Sequence, residues 1–272
     1  MNKINLDDYF FKYYGLDYSI SKIVLFKSFI DNFEKMFPFI QGKDGFNFKD
    51  KKSLIDNFKL EIHFCKYHTL ENFFALIFGL IQEPENVWKW VINYKPQKFN
   101  EMIKLVSKNG LSSISGLDEN NTICNLIYTH CPKEFIQQVD SQKSITNISI
   151  FFKKCANELI NKEDYNSYKH GLRIIKGDIE AECVNKNNEI LDKIHSSAVS
   201  YLSKNDKLIM QLFSYERDYN IIIFCWQVLR IILHQHNITL TNELKELKII
   251  DISKVDIEGL FKSKEDEFFI HH

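Results

Sequence analysis

Arginine is almost missing from this chain of 272 residues: among its 35 basic side chains only Arg173, Arg217 and Arg230 are not lysine. Glycine and proline are also scarce, at nine and four, which argues against a turn-rich all-β fold and for long helices. The six cysteines, Cys65, Cys124, Cys131, Cys155, Cys183 and Cys225, include no Cys-x-x-Cys pair, so neither a disulfide framework nor a zinc knuckle is expected. Net charge is −1 with a pI near 6.8, so no global field draws the chain to nucleic acid or to an anionic membrane, although a local basic patch is compatible with that balance. The longest charge-free apolar stretches, Asn72–Gln82 and Tyr219–Leu229, are too short to span a bilayer. Met1–Asp8 has no apolar signal core. A cytoplasmic protein without a membrane partner is expected. Glycine-rich phosphate loops, Gly-x-Ser-x-Gly elbows and His-Glu-x-x-His motifs are missing too, which leaves the commonest nucleotide, hydrolase and zinc chemistries unsupported.

What is present is apolar and aromatic. Hydrophobic residues make up 44% and aromatic residues 14%, with 23 phenylalanines, enough for a packed core. The apolar spacing predicts a mainly α fold, a multi-helix bundle with one small β-hairpin. Helices are expected at about 19–37, 53–81, 85–94, 97–108, 122–128, 132–139, 144–160, 163–176 and 219–236, with a short one at 242–247. Asn109-Gly110 reads as a left-handed C-cap and 111–121 as a loop. The period changes to two near Ala198–Ser203 and Leu208–Phe213, around Lys204–Lys207, which predicts the hairpin. Asp218 reads as the N-cap of the helix that follows. A single helical domain over 1–272 is expected, with an optional N-terminal subdomain 1–110 packed on 122–250.

The densest polar stretch is Tyr165–Arg173. On a helix, Asn166, His170 and Arg173 share one stripe with Lys169 beside it, and Tyr165, Tyr168, Leu172 and Ile175 form the apolar stripe next to it. Arginine offers a planar fork that grips a carboxylate or phosphate with two hydrogen bonds. Asn166, Lys169, His170 and Arg173 are therefore binding candidates for an anion; the alternative is a structural ion-pair network. A second polar set lies in Glu61–Glu71, where His68 and Glu71 share a face and Glu71 opens a charge-free run. Both are assigned to binding on the expectation that this region meets the Asn166–Arg173 stripe. A His/Glu metal bundle using His63, His68, Glu71 and His170 is the third reading, although no metal or other cofactor is assigned.

Arg230-Ile-Ile-Leu-His-Gln-His236 has the Arg, five-residue gap, His spacing that resembles the HEPN ribonucleases, a helical family. That resemblance implies Arg230 and His236 as catalytic residues acting on an RNA phosphodiester, with His as general acid/base and Arg steadying the phosphate, at a homodimer interface. Separately, Asn166-x-x-Lys169-His170-Gly171, followed by a hairpin and Tyr215-Glu216-Arg217-Asp218, resembles a group of bacterial helical proteins, which implies no activity. The functional expectation is a non-catalytic binding protein with an anion-recognising polar centre, its ligand an anionic small molecule or RNA phosphate. A HEPN-type nuclease and a metal-binding bundle are the alternatives.

Overall fold

The structure, a computed structural model, describes residues 17–41, 50–128, 141–169, 174–184, 190–202, 207–241 and 252–262. It is mainly α. The helices are α1 (Asp17–Asp31), α2 (Phe33–Ile40), α3 (Lys51–Gln82), α4 (Val87–Asn93), α5 (Pro96–Asn109), α6 (Ser112–Ser115), α7 (Glu119–Ile127), α8 (Ser141–Ile160), α9 (Glu163–Lys169), α10 (Tyr215–Thr241) and α11 (Ile257–Leu260). Between α9 and α10 run β1 (Ile174–Val184), β2 (Ile190–Leu202) and β3 (Leu208–Phe213), and a 3-10 turn spans Ile252–Lys254. Expected helices at 132–139 and 242–247 lie outside the described residues. Among the described residues no helix is long and apolar enough to cross a membrane, and Cys65, Cys124, Cys155 and Cys225 are reduced thiols.

The chain forms two compact units interleaved along the sequence. One takes Ser19–Tyr67 and Lys162–Ile222; the other takes His68–Asn161 and Ile223–Phe261. The first carries the sheet. Its strands lie in the order β1-β2-β3, all antiparallel, with Ile174 opposite Tyr201 and Ser197 opposite Phe213. The expected hairpin is β2–β3, and a third strand precedes it. Ile174–Lys176, expected as the end of a helix, instead pair with Val199–Tyr201. The β-branched Ile174 and Ile175 fit a ladder better than a helix end, and pairing overrides the helical period. The aromatic helix expected over 19–37 breaks at Asn32, whose side-chain amide donates to Ser28 O at 3.0 Å, a local bond that competes with the helix ladder. Phe29, Phe33, Phe37 and Leu54 then close a small core with Phe58 and Met36.

The second unit is all helical among its described residues. Phe73 packs edge-on to Phe151, which meets Phe224 at 4.6 Å and Phe261 at 5.9 Å. Phe78 holds Trp90 of α4 and Phe99 of α5 at 6.0 and 5.5 Å. The segment after α5, expected as a loop, includes α6 and the start of α7, organised by Glu119. Its carboxylate accepts the Ser112 N–H at 2.8 Å and the Ser149 hydroxyl at 2.7 Å. Gly110 ends α5 as expected, but at φ 83° and ψ −174°, a glycine-only region beyond the left-handed helix. A Cβ there would sit 2.6 Å from both Glu119 carboxylate oxygens. Gly110→Ala therefore adds backbone strain and pushes Glu119 off two partners. The expected loss is about 2–3 kcal/mol, read from the urea midpoint; an unchanged midpoint would mean that this corner relaxes without cost.

Candidate functional site

The most concentrated chemistry of the molecule lies in the sheet-bearing unit, where α3, α9 and α10 meet. On α3, His63, Lys66 and Tyr67 fall three and four residues apart and so lie on one side of the helix. On α9, Asp164 stands in the first turn, where a carboxylate is favoured by the helix dipole; one oxygen accepts the Tyr165 N–H at 2.7 Å. On α10, Ser214 precedes the helix, its hydroxyl accepts the Arg217 N–H at 3.4 Å, and its carbonyl accepts the Asp218 N–H. Asp218 is therefore not the N-cap expected from sequence. It belongs to the first turn and points inward.

These side chains form one buried charge network. Nδ1 of His63 lies 2.5 Å from Asp218 Oδ2, and Nε2 lies 2.7 Å from Asp164 Oδ2. The Lys66 ammonium is 3.0 Å from Asp218 Oδ1 and 4.6 Å from the Tyr67 ring. Arg217 Nη2 approaches the same Asp218 oxygen at 3.4 Å, and the Tyr67 hydroxyl donates to Asp164 at 3.4 Å. Phe213, the last residue of β3, stacks on the imidazole at 4.5 Å. His63 and Lys66 are 1% exposed, and Asp164 and Asp218 are fully buried.

A carboxylate only accepts hydrogen bonds, so an imidazole between two of them must carry a proton on each nitrogen. His63 is an imidazolium. Burial pushes its pKa down, but the Asp218 charge and the hydrogen bonds to Asp164 and Asp218 outweigh that and the opposing Lys66, and the net shift is upward. Burial acts the other way on Asp218, yet the charges of Lys66 and His63, the His63 hydrogen bond and Arg217 hold its carboxyl far below the usual range. A cation bonded at both nitrogens has no lone pair for a metal and none to act as a base. The network clamps three helices and one strand end.

A second polar set lies alongside it on α1, α3 and α9. Glu61 receives the Lys22 ammonium at 2.9 Å and the Tyr168 hydroxyl at 2.9 Å, while Tyr168 stacks on Phe64 at 4.0 Å. Burial, together with that hydrogen bond, pushes the Tyr168 phenol up to about 12. α9 is thus fixed on its inner side by Asp164, Tyr165 and Tyr168. Its outer side carries Asn166 and Lys169, both exposed, with the Lys169 ammonium 4.2 Å over the Tyr165 ring.

Of the residues singled out from sequence, Asn166 and Lys169 are on this outer side; His170 and Arg173 lie outside the described residues. His68 is exposed and Glu71 half-buried, both in the helical unit. Arg230 is exposed on α10, its guanidinium 4.6 Å over the Trp226 ring, and Trp226 donates to Asp17 at 3.0 Å. His236 lies on the same helix, its side chain outside the described residues. Among the described residues no group of three or more His, Cys, Asp or Glu side chains could hold a metal ion. Sequence reasoning missed Lys66 and Asp164 and gave His63 and Asp218 other roles. The available signal was His63 and Lys66 standing inside the apolar run of α3, where an ionised side chain requires a partner.

No protein-family model, no curated protein and no solved structure matches this chain.

Proposed function

We propose that this is a non-catalytic binding protein that recognises an anionic ligand through the polar row of α9, Asn166 and Lys169, which His170 and Arg173 continue in sequence. The observation that carries the reading is the division of α9 into an anchored and an open side. Asp164 and Tyr165 are buried, whereas Asn166 and Lys169 face solvent. The charged centre beneath spends its bonding capacity internally, with both His63 nitrogens on carboxylates, which supports a supporting role for it and recognition at the rim. A rigid helix presenting an amide and an ammonium suits a phosphate or carboxylate better than an apolar ligand.

Isothermal titration with inorganic phosphate, pyrophosphate, a mononucleotide and a short RNA tests this. For whichever ligand binds, Lys169→Glu and Arg173→Ala are expected to lower affinity at least about tenfold each, the range of a lost hydrogen bond to a charged group. Affinity unchanged in both variants removes the reading.

The second reading, a HEPN-type nuclease, is favoured by one observation: Arg230 presents its guanidinium to solvent on the helix that also carries His236. RNA cleavage by the wild type that disappears in both Arg230→Ala and His236→Ala would establish it in place of the first.

A further inference from the structure

The charge of this chain is nearly balanced overall, but not locally. Between Val87 and Asn109, helices α4 and α5 and their connection carry Lys89, Lys95, Lys98, Lys104 and Lys108 against a single acid, Glu101. All five lysines are exposed, and none pairs with a carboxylate of the described residues. Five lysines elsewhere do meet a carboxylate: Lys22 with Glu61, Lys27 with Asp31, Lys51 with Glu34, Lys66 with Asp218 and Lys154 with Glu258. Glu101 is itself engaged, accepting from Gln97 at 3.2 Å.

The two helices are held from within. Val87 and Trp90 of α4 and Phe99, Met102, Ile103 and Val106 of α5 are buried, and Trp90, Tyr94 and Phe99 stack in series at 5.1 and 5.0 Å. On α5, Lys104 and Lys108 are one turn apart on the side opposite that buried stripe, with Leu105 beside them. On α4, Ile92 is one turn from Lys89 on the outer side. Ile92 is 67% and Leu105 43% exposed. The outer sides of α4 and α5 therefore each carry exposed lysine and an aliphatic side chain in water.

We propose that the α4–α5 face docks on a lipid bilayer surface carrying anionic headgroups. Lysine clusters of this number are attracted to anionic leaflets, and aliphatic side chains among them gain by entering the headgroup boundary. The exposed apolar groups decide between partners. A nucleic-acid backbone would engage the lysines equally well, but single-strand binders add exposed aromatic platforms for bases, and here the exposed side chains are Ile92 and Leu105. The balanced total charge hides the patch from a whole-chain reading. This inference is independent of the α9 reading, since it uses no residue of that helix.

The test uses the full chain in flotation with phosphatidylcholine vesicles, with and without phosphatidylglycerol. Binding is expected only with the anionic lipid and should fall as salt rises. The triple variant Lys98→Glu/Lys104→Glu/Lys108→Glu is expected to reduce partition more than about a hundredfold, each lysine being worth roughly a fivefold factor near an anionic surface. Ile92→Ser should weaken it further than charge alone explains, and Lys35→Glu, at an exposed lysine of α2, should leave it unchanged. These are surface positions, and an unchanged circular-dichroism spectrum establishes that the variants fold. Absence of binding to anionic vesicles overturns the proposal. So does a short RNA that binds the same lysines more tightly than the vesicles, which would reassign the face to nucleic acid.

Discussion

Asp218→Ala is expected to destabilise the protein by about 3–5 kcal/mol, the cost of removing one member of a buried ion pair and leaving its partners charged. Asp218 touches three cations of the centre, His63 at 2.5 Å, Lys66 at 3.0 Å and Arg217 at 3.4 Å. Without it, His63 keeps its bond to Asp164 and the Lys66 ammonium loses its contact with Asp218. Asp218→Asn should cost nearly as much, because the amide keeps the shape but not the charge. The contrast lies in the triple variant His63→Leu/Lys66→Met/Asp218→Leu. Replacing His63, Lys66 and Asp218 together by apolar groups removes much of the desolvation penalty along with the attraction, so its cost should be smaller than that of Asp218→Ala alone. Asp164 keeps the Tyr165 N–H and the Tyr67 hydroxyl there. Urea midpoints of the three proteins decide the matter. If Asp218→Ala loses less than about 1 kcal/mol, the network is an accessory and not the clamp of α3, α9 and α10.

How far the sequence predicts this architecture depends on which interaction fixes each element. α3 was legible almost to the residue, at 53–81 expected against Lys51–Gln82, because its apolar period is carried by its own side chains. The β2–β3 hairpin was legible for the same reason, through local alternation around a polar turn. β1 was not. Its partner β2 begins at Ile190, close after Val184, and Ile175–Cys183 alternates uncharged with charged residues, a period of two that the helical reading carried through Lys176 passed over. The charge network fails to read for a different reason. Asp164 and Asp218 are 101 and 155 residues from His63, and each has an ordinary local explanation as a first-turn or capping acid. Asp218 shows the difficulty best: α10 begins one turn earlier than the apolar run suggests, which moves Asp218 from the cap position into the core. Arg217, one of the three arginines, approaches Asp218 at 3.4 Å. Scarcity of arginine thus pointed to the right neighbourhood for the wrong reason, since the cations that meet Asp218 most closely are a histidine and a lysine.

The same centre makes stability depend on pH in a direction opposite to the usual histidine expectation. A buried histidine is commonly neutral and opposes folding at low pH; His63 is folded as a cation, with its pKa above the ordinary 6.5. The folded state therefore binds a proton that the unfolded chain releases once pH exceeds about 6.5. Stability from this group is complete below that point and declines as pH rises through the folded value, with a slope approaching about 1.4 kcal/mol per pH unit. Asp218 has the reverse sign. Its folded pKa is depressed below 3.8, so its contribution is complete above that value and is lost only as pH falls further. Between roughly pH 4 and 6.5 both contributions stand in full, which places the optimum from these two groups on the acidic side of neutrality. Urea denaturation from pH 5 to 9 should show a decline above neutrality in the wild type. The chain has nine histidines, so the decisive quantity is the difference from His63→Gln, in which this part of the slope should vanish. An imidazole carbon shift followed by NMR gives an independent reading that needs no variant to be stable: His63 should remain protonated at a pH where a free imidazole, with a pKa of about 6.5, has already lost its proton. Parallel stability profiles for the two proteins, or a His63 signal that titrates like a free imidazole, would sink the assignment of a locked imidazolium.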